Sequence, residues 1–95
     1  LDRGQEVRAR CRGVVRERER VAAALRALGA LVAPSRANFL FFVPPDGDGA
    51  RVFRALRARG VLVRDQTAAA PGALRVTIGT PDENDLFLTT LKEVL

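Results

Sequence analysis

The stretch "GVLVRDQTAAAPGALRVTIGT", residues 60–80, decides the fold. It contains two short runs rich in valine, leucine and isoleucine, residues 61–64 and 74–78, joined by "DQTAAAPG", and each run carries one arginine. In an extended chain successive side chains point to opposite faces, so Leu74, Val76 and Ile78 share one face while Arg75 and Thr77 share the other. Leu62 and Arg64 oppose Val61 and Val63 in the same way.

If the two runs pair antiparallel across the loop, Leu62 falls opposite Arg75. Arg64 is then a diagonal neighbour of Arg75 on the same face, about 7–8 Å away at the backbone. Two readings follow. In one, two guanidinium forks converge on a single carboxylate or phosphate, which their planar geometry matches bidentately. In the other, Arg64 pairs with Asp65 or another surface acid, and Arg75 is an ordinary residue on a wet sheet face.

Upstream, residues 2–28 place Val7, Cys11, Val14, Val21, Leu25 and Leu28 at spacings of three and four, with a gap at Arg18. That is a long amphipathic helix, closed by Gly29. Its "RERER" run, residues 16–20, alternates charge sign and reads as a solvated face. Leu31 and Val32 begin a strand, Pro34 and Ser35 a turn, and "FLFFV", residues 39–43, a second strand. That strand is apolar on both faces, so it is expected to be central and buried, ending at Pro44 and Pro45. "DGDG", residues 46–49, is a turn; residues 50–59 form a helix with Val52, Phe53 and Leu56 inward, stopped by Gly60.

Downstream, Thr80 is an N-cap, Pro81 occupies the first helical position and Glu83 completes a capping box. Phe87, Leu91 and Val94 supply the buried stripe of this last helix, with Leu86 and Leu95 at its edges. The order α-β-β-α-β-β-α argues for an α+β two-layer sandwich, a small, largely antiparallel sheet with helices on one face. The expected organisation is one domain over residues 1–95, with residues 1–29 a lead-in helix and residues 30–95 the α+β unit.

Composition narrows the function. The chain is 47% apolar with a net charge of +5, and all but one of its 16 basic residues are arginines. A bias toward arginine and alanine matches GC-rich coding, and no nucleic-acid partner is expected from it. No apolar run approaches the roughly 20 residues of a membrane span. The lone Cys11 excludes an internal disulfide, there is no histidine, and no metal site is expected, which fits a reducing, cytoplasmic setting. The chain starts at Leu1 and stops inside a helical pattern, so it reads as a piece of something longer.

With no histidine or tyrosine, one serine and one lysine, these residues compose no nucleophile with an adjacent base, and no catalytic residue is assigned. The glycines of "GDG" and "TIGT" lack phosphate-loop spacing and are turn glycines.

"PSRANFLFF", "GVLVRD" and "LRVTIGTPDENDLFL" stand in the order and spacing of the C-terminal small domain of histidinol-phosphate aminotransferases, and the chain resembles that domain over nearly its whole length. These are fold-type I enzymes dependent on pyridoxal 5'-phosphate. The resemblance implies that Arg75 holds the substrate carboxylate or phosphate and that Arg64 is its partner on the phosphate; Asn38, which with Phe39 matches the "ANF" motif, is a further substrate-binding candidate, though the two serve mainly strand entry and packing. It also implies that the Schiff-base lysine and the cofactor's phosphate cup belong to a large domain outside this chain, that Lys92 matches neither, and that the intact enzyme is a homodimer. A related fold-type I enzyme such as threonine-phosphate decarboxylase, or another aminotransferase, is the nearer alternative. A free-standing basic binding module is the more distant one.

Overall fold

The computed structural model describes residues 3–95, with side chains described from Arg12 onward. Its elements are α1 (Arg3–Ala27), β1 (Leu31–Val32), β2 (Phe39–Val43), α2 (Gly49–Ala58), β3 (Arg64–Asp65), β4 (Leu74–Thr77) and α3 (Pro81–Val94). Asp2, the expected start of the first helix, and Val7 and Cys11 of its stripe lie outside the described residues or side chains.

Both early helices end where a glycine can turn the chain left-handed. Gly29 has φ 92° and Gly60 φ 80°. Around each, two backbone bonds close the last turn: Ala30 N donates to Leu25 O and Gly29 N to Arg26 O, then Val61 N to Leu56 O and Gly60 N to Arg57 O. This paired closure satisfies carbonyls the helix leaves orphaned. The third helix starts as its sequence dictates, with Glu83 N donating to Thr80 Oγ1 at 3.2 Å and Thr80 N to Glu83 Oε1 at 2.9 Å.

The four strands form one antiparallel sheet in the order β1-β2-β4-β3. Leu40, Phe42, Leu74 and Val76 point to the helix layer and join Val21, Leu25, Val52, Leu56, Phe87 and Leu91 in one core. The Phe42 and Phe87 rings meet edge to face, with centroids 5.9 Å apart. Burying each such side chain stabilises the fold by roughly 1.5–3 kcal/mol.

β2 is central, flanked by β1 and β4, but it is not buried on both faces as its composition suggested. Phe41 is 36% exposed, and Phe39 and Val43 are half-buried. The helices cover one side of the sheet, and the other side of β2 looks out beside Arg75 and Thr77.

The hairpin also differs from expectation in extent and register. Pairing matches Arg64 with Arg75 and Asp65 with Leu74, and continues toward the loop through Gln66 N donating to Ala73 O at 2.9 Å. Residues 61–63 do not pair. The Val61 amide is spent on closing α2, and the segment veers from β4 to leave a cleft of about 280 Å³ lined in part by Val61, Leu62, Thr77 and Leu86. The shift from the expected register is two residues, so every side chain keeps its face.

The "RERER" run is likewise not uniformly solvated. Arg18 is 8% exposed, and Glu17 turns toward α3, because the turn after β1 and the start of α3 both close over this part of α1.

Candidate anion site on the open sheet face

Arg64 and Arg75 are directly opposed across the β3:β4 ladder, closer than the expected diagonal. Opposed side chains have Cβ atoms about 4.5–5.5 Å apart, and like charges so placed repel. Local packing holds one of them. The Arg75 guanidinium carbon lies 5.0 Å from the centre of the Phe39 ring, a cation-π contact. The Phe39 ring is braced edge-on by Phe41 at 5.3 Å and 83°. The Arg75 Nε is buried and has no hydrogen-bond partner. Arg64 is exposed.

The competing reading, in which Arg64 is neutralised by its neighbour, does not describe the arrangement. The Asp65 carboxylate turns away to accept from Thr67 N at 2.9 Å, and that bond, first among the causes, holds its pKa below the ordinary carboxylate range. Among the described residues, neither Arg64 nor Arg75 forms an ion pair. Two arginines opposed on one sheet face, one with an unused buried donor, are a candidate fork for a carboxylate or phosphate, which would relieve their repulsion.

Asn38 does not join this pair. It lies one residue before β2, where its carbonyl accepts from Ile78 N at 2.7 Å and extends the β2:β4 ladder. Lys92 is exposed near the end of α3, in the helix layer on the other side of the sheet. The open face carries two aromatic rings that a fully buried β2 would have hidden. Phe39 is capped by Arg75 and lies nearly perpendicular to Phe41, so the two offer no shared stacking plane to bases.

Behind the sheet, α1 and α3 are locked by a polar cluster that spacing did not reveal. Asn84, 3% exposed, donates to Glu17 Oε1 at 2.9 Å and to Gly79 O at 3.1 Å, and accepts from Gly79 N at 2.9 Å. Arg20 bonds Glu17 Oε1 at 2.7 Å and Asp85 at 2.8 Å. The Arg20 bond first, and the Asn84 bond second, hold the Glu17 carboxyl down to about 2, from an ordinary 4.5. The bond to Glu17 first, and the bond to Asp85 second, hold the Arg20 guanidinium above its ordinary range. The cluster fixes the β4-to-α3 turn, three residues beyond Arg75.

A sequence model of the family "Aminotransferase class I and II" matches residues 1–91. This chain belongs to that family. The histidinol-phosphate aminotransferase of Geobacter sulfurreducens is 43% identical over 95 residues, covering 97% of this chain and 27% of its own length. Among solved structures, the histidinol-phosphate aminotransferase from Clostridium acetobutylicum superposes with a TM-score of 0.77 at 23% identity, over 85% of this chain and 26% of that one, which shows the shared fold. A decarboxylase from Sulfurospirillum multivorans superposes with a TM-score of 0.75 at 29% identity, over 85% of this chain and 25% of that one. The chain thus spans about a quarter of the length of the aminotransferases it matches. The α+β sandwich expected from the order of elements is that of these aminotransferases. Among the described residues no helix is long and apolar enough to cross a membrane.

Proposed function

We propose that these 95 residues are the substrate-anchoring part of a histidinol-phosphate aminotransferase, an enzyme that moves an amino group between histidinol phosphate and 2-oxoglutarate. The observation that carries the reading is the opposed pair of Arg64 and Arg75 on the uncovered sheet face, with the Arg75 Nε unpartnered. Arg75 takes the substrate's phosphate or carboxylate, and Arg64 adds the second fork when the anion is a phosphate. Asn38 acts through the β2:β4 ladder beneath them.

Pyridoxal phosphate, when bound, supplies an electron sink for chemistry at the substrate's α-carbon. No described residue of this chain is assigned to its attachment site in this proposal. Lys92 is exposed in the helix layer, away from the fork, so the attachment lysine and phosphate cup are assigned to a large domain outside these residues. The working enzyme in this proposal is a cytoplasmic homodimer. The open face, with Phe41 and the 73% exposed Leu31, turns toward the large domain and closes water away from the reacting atoms.

The test is Arg75→Ala in the intact enzyme. Losing a charge-assisted bond costs about 1.5–3 kcal/mol, so KM for histidinol phosphate should rise from about tenfold to about a hundredfold while cofactor absorbance is retained. Unchanged KM removes Arg75 from the site. A second reading draws on the likeness to a decarboxylase, because an anion fork selects a charge and not a reaction. Release of carbon dioxide from a phosphorylated amino acid, with no transfer to 2-oxoglutarate, would establish that reading instead.

A further inference from the structure

Arg18 occupies the position that interrupts the apolar stripe of α1, where packing alone would favour leucine or valine. Its side chain is only 9% exposed. A buried cation is costly unless it is bonded, so its bonds indicate what it does. Among the described residues the carboxylate beside it, Glu19, stands 3.7 Å away and is 66% exposed. Its direct hydrogen bond runs from Nη1 to the carbonyl of Ala37 at 3.3 Å, across to the turn between β1 and β2.

That turn determines where Phe39 sits. Ser35 Oγ donates to Phe39 O at 2.8 Å and accepts from Ala37 N at 3.1 Å. Ile78 N donates to Asn38 O, and Phe39 pairs with Thr77. The Phe39 ring in turn supports the Arg75 guanidinium. Between α1 and the turn lies a cavity of about 130 Å³ lined by Arg18, Arg26, Pro34, Ser35 and Leu40 among others, so the turn has room to move once the guanidinium no longer spans the gap.

We propose that Arg18 is a positioning residue for the anion fork: by pinning the turn at Ala37 from α1 it sets the height of the Phe39 ring and hence of Arg75. The inference rests on the reading of Arg64 and Arg75 as the substrate's anion site. Arg18 itself touches no substrate.

The experiment compares Arg18→Met, which keeps the length of the stem, with Arg18→Lys, which keeps a charged donor, in the intact enzyme. For Arg18→Met, KM for histidinol phosphate should rise about tenfold with kcat within about twofold, the signature of lost binding in the ground state. Arg18→Lys should return KM to within about threefold of the starting enzyme. Deuterium uptake should increase in a peptide spanning residues 33–41 and stay unchanged in α3. A merely structural role would raise uptake throughout and leave KM where it was, which overturns the inference. Arg75→Ala, measured alongside, separates the two claims. If it raises KM and Arg18→Met does not, only the pinning role falls; if it leaves KM unchanged, the fork reading falls and the inference with it. Should Arg18→Met fail to fold, Ser35→Ala removes the turn's other tie and must give the same selective rise in KM. Unchanged KM in that variant also overturns the proposal.

Discussion

Replacing Asn84 by alanine removes two bonds to the backbone of Gly79, one in each direction, and one to the Glu17 carboxylate. Each bond to Gly79 stabilises the fold by about 1 kcal/mol, so those two alone set the loss at about 2 kcal/mol. For a domain of this size about 1 kcal/mol moves Tm by about 4–8 °C, which gives a fall of about 8–16 °C in a thermal melt followed by circular dichroism. Asn84→Asp sharpens the test. It retains the bond from Gly79 N but sets a second carboxylate against Glu17 Oε1, where the amide now donates at 2.9 Å. At pH 7 it should be at least as destabilised as the alanine variant, and it should regain stability as acid protonates the new carboxyl. A Tm for Asn84→Ala within about 2 °C of the starting protein, or an aspartate variant insensitive to pH, would refute the account of how the β4-to-α3 turn is held.

Three further outcomes follow from local geometry. Thr80→Ala deletes the cap of α3 and should cost about 1 kcal/mol, seen as a lower urea midpoint with an unchanged slope. Glu17 is held more acidic in the fold than in the unfolded chain, so its contribution is present above pH 4.5 and is lost as pH falls from there toward 2. Glu17→Gln should therefore be less stable at pH 7, with the deficit closing across that window in pH-dependent melts. Gly49→Ala should destabilise by about 1–3 kcal/mol despite alanine's better helix propensity, because its Cβ would meet the Gly72 carbonyl; equal or higher Tm would contradict that contact.

The sequence made some elements legible and hid others for physical reasons. Helix ends were readable because their signals are local: Gly29, Gly60 and the Thr80–Glu83 box each act within a turn. Strand alternation at Leu74, Arg75 and Val76 was readable for the same reason, and it placed both arginines on one face. Register was not, because whether Leu62 or Arg64 lies opposite Arg75 depends on where the closure of α2 releases the chain. The open face of β2 was hidden because "FLFFV" is apolar throughout, and composition does not say whether a second layer covers it. Arg18 and Glu17 looked like parts of a charged helix face. Their partners, Ala37 and Asn84, are 19 and 67 residues away, beyond any periodicity. The stripe position of Arg18 was the available signal: a charge in an apolar row marks a buried group with a specific partner.

Arg64 and Arg75 are proposed to bind the anion of the substrate, and a thermodynamic cycle between arginine and anion measures that coupling. In the intact enzyme, kcat/KM is measured for histidinol phosphate and for histidinol, with and without Arg75→Ala, and again with Arg64→Ala. Strong coupling is the expected result: each substitution costs about tenfold or more on the phosphorylated substrate and about twofold or less on the one lacking phosphate. Equal losses on both substrates would contradict it, because the arginines would then be supporting the fold and not holding the anion.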